Sequence, residues 1–538
     1  MRHAVLTFAS TMLWACSDDA MTGSDGSSTG STTQTTQPTS GPTSGPTSGP
    51  TSGPGASSGD LSEGTSAGEA SSTSGGPMQD LVPVGHTREL RAVWVASVGN
   101  INFPSAQGLR VAELQDELRQ TFDAVAAAGL NTIILQVRPE SDALYASAIE
   151  PWSRYLTGTQ GEDPGFDPLE FAVAEAHLRG LELHAWFNPY RAKASAGSAA
   201  ADNHISKKFP EYAYSYDAFL WMDPGAEPVQ DQLVAVITDV VTRYDIDGVH
   251  FDDYFYPYPS DAEFPDDATY AEYQDGGGQL DLGDWRRDNV NRMVKRVGEA
   301  VAGLRPSVRW GISPFGIYRP GTPPGISGLD QYAEIYADPL KWMQEGWLDY
   351  LAPQLYWPST QTAQAYGTLI EWWSSIASDG RYIFAGNYLS KIGSEAKWSL
   401  DEFATQIELS REYADQGSQG NIFFHVGPIL DNSEGITDLL TGELYVQPAL
   451  TPPIAALLGE SVDPPVVDLV DATAQLSHAD PASLRAWVLY RAEGEGWAIE
   501  RITPATQASV ALPGPGTWAI SAASRGGVES LGVRVVLP

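Results

Sequence analysis

Residues 111–137, VAELQDELRQTFDAVAAAGLNTIILQV, decide the fold class. Apolar side chains at 111, 114, 118, 122 and 125 have the spacing of one helix face. Gly129 then stops the helix as a C-terminal cap, and the apolar run Thr132–Val137 reads as a strand. The unit recurs in PLEFAVAEAHLRGLELHAWF (168–187) and PVQDQLVAVITDVVTRYDIDGVHF (228–251). Working outward, the short apolar runs are Arg91–Val98, Thr132–Val137, Leu181–Phe187, Asp247–Phe251, Arg309–Ser313, Leu348–Tyr356, Ile383–Asn387 and Asn421–Val426. Buried strands alternating with helices over residues 86–452 predict an α/β domain, a (β/α)8 TIM barrel. A doubly wound open sheet is the alternative. It calls for a glycine-rich phosphate loop after the first strand, and none follows.

The chain has 538 residues, with 31 basic and 68 acidic side chains and a net charge of −37. Such a length suits one large domain and an accessory one. The acidity argues against nucleic acid and against adsorption to anionic lipid. A single cysteine excludes an internal disulfide framework and a Cys-rich metal site. No metal or cofactor is expected. Beyond residue 455 the helical pattern gives way to alternating segments such as LRAWVLYRAEG, WAIERIT and TWAISAASRGG. Residues 456–538 therefore read as a small β-sandwich that resembles a fibronectin type III domain. At the other end, Leu13-Trp14-Ala15-Cys16 closes a short apolar run and resembles a bacterial lipobox, with Trp14 as a departure. Residues 1–16 are thus expected to be a lipoprotein signal ending on a lipid-bearing Cys16, placing the protein in the cell envelope, at the outer membrane or cell surface. An ordinary secretory signal with a chance cysteine is the alternative. Residues 17–80, with PTSG repeated from Pro38 to Gly53, read as a disordered tether.

In a TIM barrel the chemistry sits just after the strands. Asp247-Gly-Val-His-Phe-Asp-Asp-Tyr254 is the sharpest such segment. Strand alternation points His250 and Asp252 the same way, into the barrel, with Asp253 beside them. Adjacent acids repel, so one stays protonated more readily, and glycoside cleavage needs such a pair. An Asp pair that caps a helix or holds a cation is the alternative. Glu140, after the second strand, is the further catalytic candidate, with Asp142 competing; a loop ion pair with Arg138 is its plain reading. The substrate-facing candidates are Arg138, His184, Asn188, Tyr190, Arg191, Asp223, His250, Tyr254, Gln354, Tyr356 and Trp357. Several are hydrogen-bond partners for sugar hydroxyl or acetamido groups, and the aromatics suit ring stacking. For each, core packing is the competing explanation. No Ser/His/Asp order or His-rich ligand spacing stands out.

Glu89-Leu-Arg-Ala-Val-Trp-Val95, Asn100-Ile-Asn-Phe-Pro-Ser105, QVRPESDALY (136–145), PWSRYLTG (151–158), the stretch 165–192 ending in Asn-Pro-Tyr-Arg-Ala, DGVHFDDYFYP (247–257), WRRDNVN (285–291) and LDYLAPQLYWP (348–358) together resemble the glycosyl-hydrolase-like family ten over residues 87–450. That resemblance implies a TIM-barrel glycoside hydrolase. The family includes division-associated lipoproteins that cleave peptide-free peptidoglycan glycan strands; the resemblance does not fix the substrate, and such a strand is the leading expectation. The family's functional positions carry over to Asn188, to Asp252, Asp253 and Tyr254, and to Gln354, Tyr356 and Trp357. Asp223-Pro-Gly225 matches a family turn, but Glu227-Pro228-Val229 stands where Pro-Glu-Val is usual. Glu140 falls at a position that varies. The fourth-strand segment is also similar to α-amylase-like clans, yet the fifth strand runs into Ser313-Pro-Phe-Gly316 without their acidic Glu. A surface carbohydrate-binding protein without catalysis, and a glycosidase acting on an exopolysaccharide, are the competing functions. Oligomeric state is left open.

Overall fold

The computed structural model describes residues 79–538; Cys16, its signal-like segment and almost all of the 17–80 linker lie outside the described residues. Eight parallel strands close into a barrel: β1 Leu90–Val95, β2 Thr132–Arg138, β3 Glu182–Phe187, β4 Gly248–Phe251, β5 Arg309–Ile312, β6 Tyr350–Leu351, β7 Tyr382–Asn387 and β8 Ser418–Phe423. Each pairs with the next, and β8 returns to β1 through Asn421 opposite Arg91. Helices α1 Val111–Ala127, α2 Pro168–Leu178, α3 Glu227–Arg243, α4 Leu282–Leu304, α5 Tyr366–Ser375 and α6 Leu400–Glu412 run along its outside.

Local chemistry explains these elements. Helix α1 buries Leu114, Leu118, Phe122 and Val125, and the chain leaves it at Gly129, whose φ of +75° suits glycine. Helix α2 starts where the Asp167 carboxylate accepts from the Leu169 and Glu170 amides and Pro168 fills a position needing no amide. The sixth run, expected over 348–356, is a strand only at Tyr350–Leu351. Pro353 has no N–H for the ladder, and the chain beyond it turns into the barrel mouth.

Alternation along β1 turns Val93 and Val95 toward the helices and Ala92 and Trp94 into the barrel. The interior also holds a polar column. Trp94 donates its indole N–H to His250 Nε2 at 3.1 Å, so His250 must donate from Nδ1 to the Tyr350 hydroxyl at 2.9 Å. Tyr350 in turn donates to His184 Nδ1 at 3.0 Å, and His184 Nε2 donates to Glu182 at 3.0 Å. Burial holds both histidines far below their usual range, His184 at about 3, so both are neutral as this order requires. Glycines on β4 and β5 leave room for the column. A Cβ at Gly248 would lie 2.5 Å from the His184 ring, and one at Gly311 2.2 Å from the Tyr350 ring.

The C-terminal strands are β9 Val466–Val470, β10 Thr473–Ser477, β11 Leu484–Glu493, β12 Gly496–Pro504, β13 Ser509–Ala511, β14 Gly516–Ser524 and β15 Gly532–Leu537. They form a β-sandwich: sheet β9-β10-β13 and sheet β12-β11-β14-β15. The second sheet gains an edge strand, Leu81–Val82, from ahead of the barrel. The sandwich meets the barrel at the N-terminal ends of its strands. Arg485 pairs with Glu182 at the start of β3, and Arg525 pairs with Asp245 just before β4 at 2.6 Å.

Candidate active site

The opposite, C-terminal end of the barrel opens into a cavity of about 520 Å³. Asp252 and Asp253, at the end of β4, are the two carboxylate side chains that line it. Both are buried. Asp252 Oδ2 accepts from Trp186 Nε1 at 3.0 Å and from Asn188 Nδ2, while Oδ1 has a longer contact, 3.3 Å, from the Tyr254 amide. Burial pushes the Asp252 carboxyl up to about 7; the Arg191 charge opposes this and the Asp253 charge adds to it. Asp253 accepts from the Tyr258 hydroxyl. Burial raises it to about 6, against the hydrogen bonds from Tyr258 and Gln354. Both carboxyls are thus raised toward the near-neutral range, which suits acid–base chemistry.

The orientation of Asn188 is fixed from a distance. Gln136 Oε1 accepts from the Ser97 and Val98 amides, each at 2.9 Å, so its Nε2 faces the Asn188 oxygen. Asn188 is left with its Nδ2 aimed at Asp252. An amide relay thus runs from the β1 loop through β2 and β3 to the β4 acid.

Aromatics form the walls. Tyr356 stacks on Tyr388 with centroids 4.7 Å apart, and Phe424 meets Trp94 edge-on at 6.2 Å. Trp94, Trp186, Tyr155 and Phe219 line the cavity with them. A three-stranded sheet of Arg191–Lys193, Phe219–Met222 and Ala213–Tyr216, inserted between β3 and α3, brings Arg191 and Phe219 over the opening.

The structure brings together Asp252, Asp253, Tyr254, Arg191, Gln354 and Tyr356 around the cavity, with Asn188 directly behind Asp252. The other candidates lie elsewhere. Glu140 sits behind the wall, held by Arg154 at 2.7 and 3.0 Å and by the Ala194 amide. Burial works to raise its carboxyl, but the Arg154 pairing outweighs this and holds it below the usual range, a poor state for a proton donor. Its partner is Arg154, not Arg138. Arg138 is buried against Glu150 and clasps the Asn188 and Pro189 carbonyls. Asp142, raised to about 7 by burial and the Glu140 charge, bonds to Gln160 away from the cavity. Asp223 binds Thr269 and the Gly225 amide to fix its turn. Tyr190 is buried in the core, and Trp357 packs edge-on against Phe315. His184 and His250 belong to the interior column.

Gln136, Trp94, Trp186 and Tyr388 were not singled out from the sequence. The first three carry an overlooked signal: each lies within a strand two residues from an inward position of that same strand, Gln136 from Ile134, Trp94 from Ala92 and Trp186 from His184.

A family model described as "Glycosyl hydrolase-like 10" matches residues 89–401. The glycosyl hydrolase YngK of Bacillus subtilis is 43% identical over 378 residues, covering 68% of this chain and 73% of the relative. The glycosyl hydrolase DigH of Escherichia coli K12 is 35% identical over 355 residues, covering 60% and 80%. Among solved structures, the glycoside hydrolase domain of PgaB (BpsB) from Bordetella bronchiseptica aligns with a TM-score of 0.43 at 11% identity, covering 66% of this chain and 98% of that domain.

Proposed function

The chain belongs to the glycosyl hydrolase-like 10 family, and from that premise we propose that it hydrolyses O-glycosidic bonds in a cell-envelope glycan, peptide-free peptidoglycan strands being the substrate favoured. One observation carries the catalytic reading: the two carboxyls lining the cavity are adjacent, buried, pinned by donors and raised toward neutrality. Asp252, protonated, gives its proton to the leaving oxygen as the C1–O bond breaks. Asp253, as carboxylate, supports the positive charge at the sugar carbon and takes the proton of the water that forms the new C1–O bond. The aromatic walls supply flat apolar faces for sugar rings. Asn188 and Trp186 hold the acid in place and are positioning residues.

The envelope location rests on the lipobox-like segment ending at Cys16. The three-plus-four strand order, before the added edge strand, supports a fibronectin type III-like reading of the sandwich. The test is mass spectrometry of products from intact peptidoglycan, peptide-stripped strands and a panel of exopolysaccharides. Shortened, hydrated oligosaccharides from the stripped strands are expected. Products from an exopolysaccharide alone would move the substrate, and none from any glycan would contradict the reading.

A further inference from the structure

Arg191 stands apart among the buried arginines. Arg91, Arg138, Arg286 and Arg309 each have a carboxylate within 4 Å: Glu89, Glu150, Asp266 and Glu182. Arg191 is only 7% exposed, yet no ion pair reaches it among the described residues. Its Nη2 makes a long 3.4 Å bond to the Pro139 carbonyl, and its Nε has no partner. The guanidinium lies 4.9 Å over the Tyr254 ring and lines the cavity that holds Asp252 and Asp253. Asp252 and Asp253 feel its charge, but no carboxylate comes within ion-pair distance of it among the described residues, so its donors in this desolvated wall are left for an anion that enters the cavity.

We propose that Arg191 is the recognition point for a carboxylate on the substrate, making the preferred glycan one with a carboxylate-bearing sugar unit. The planar guanidinium offers paired N–H donors that match a carboxylate, whereas a neutral sugar presents only hydroxyl and amide oxygens. Tyr254 backs the guanidinium and holds its plane. Two sources share this chemistry: the lactyl ether of a muramic acid unit, whose carboxylate is free only when no peptide is attached, and a uronic acid. This inference rests on the glycan reading above.

The test uses the full chain and four substrates: peptide-free peptidoglycan strands, the same strands with carboxyls reduced to alcohols, a polyuronide, and chitin oligosaccharides. The wild-type protein is expected to cleave native strands with kcat/KM about 10- to 100-fold above reduced strands, the scale of a charge-assisted hydrogen bond. Arg191→Gln should bring that ratio within about threefold, mainly through KM, and Arg191→Lys should keep part of it. Preference for the polyuronide supports the arginine's role and assigns the other source. Equal wild-type efficiency on native and reduced strands, or preference for chitin, overturns it. So does an Arg191→Gln variant that slows both strand forms equally and shifts the pH profile, since that marks an arginine acting only on the Asp252 proton. Should the variant fold poorly, calorimetry of wild-type protein with native and reduced strand fragments decides: equal affinity overturns the proposal. Absence of cleavage of every glycan would defeat the hydrolase reading, while the same calorimetry would still judge Arg191.

Discussion

Gln136 sets which way Asn188 points, and Asn188 sets the acid. Gln136→Glu is nearly isosteric but cannot donate to the Asn188 oxygen, so the Asn188 amide turns and presents its oxygen to Asp252. We expect kcat to fall about 10- to 100-fold, the scale of an unsatisfied buried polar group, with KM little changed. An unchanged kcat would show that the relay does not orient the acid. The raised carboxyls also predict a pH signature. With Asp252 at about 7 and Asp253 at about 6, kcat/KM should follow a bell with both limbs between roughly pH 5 and 8. The same shifts act on stability. Asp252 titrates near 3.9 when unfolded, so between about pH 4 and 7 the folded state binds more protons and stability falls as pH rises. Asp252→Asn should therefore melt higher than wild type at pH 8 and show no such gain at pH 4. Asp252, Asp253, Arg191 and Gln354 were legible in the sequence because each follows a strand. Glu140 was not, since Arg154, which neutralises it, lies 14 positions further on and only folding brings the two together.

At the level of elements, eight strands could be read directly because each is a short apolar run bounded by turns, and the barrel closes in their chain order. Why the barrel interior tolerates two histidines could not be read. That depends on contacts across strands, His250 to Trp94 and Tyr350, and His184 to Tyr350 and Glu182. The glycines that make space, Gly248 and Gly311, look in sequence like ordinary turn or bulge residues. Tyr350→Phe removes the hydroxyl that both histidines share. We expect a loss of about 1–3 kcal/mol in denaturant-induced unfolding, the range for an unmet buried hydrogen bond. Stability equal to wild type would mean that water replaces the hydroxyl and that the column is not a structural unit.

On the scale of the whole molecule, the sandwich reads in sequence as an accessory domain. In the structure it also packs against the barrel. It lies on the barrel floor, away from the cavity, and Arg485 joins Arg309 in pairing with the buried Glu182. The Leu81–Val82 strand ties the chain ahead of the barrel to β15. This partnership escaped the sequence because Arg485 and Glu182 are 303 positions apart and neither stands in a motif. Deleting residues 456–538 should leave the Glu182 charge short of a partner and expose the floor, giving insoluble protein or a markedly lower melting temperature. A soluble truncation with wild-type melting and turnover would show that the barrel stands without the sandwich. The central claim remains that the Asp252–Asp253 pair breaks the glycosidic bond. It is tested most directly by turnover of wild-type, Asp252→Asn, Asp253→Asn and Glu140→Gln proteins on one soluble glycan, with glycan affinity measured in parallel. The account predicts a 10²–10⁴-fold fall in kcat for Asp252→Asn, the scale of a lost acid–base group, a large fall for Asp253→Asn, and glycan affinity close to wild type for both. It predicts a mild effect for Glu140→Gln, seen mainly in stability. Near-normal turnover in both aspartate variants would contradict it.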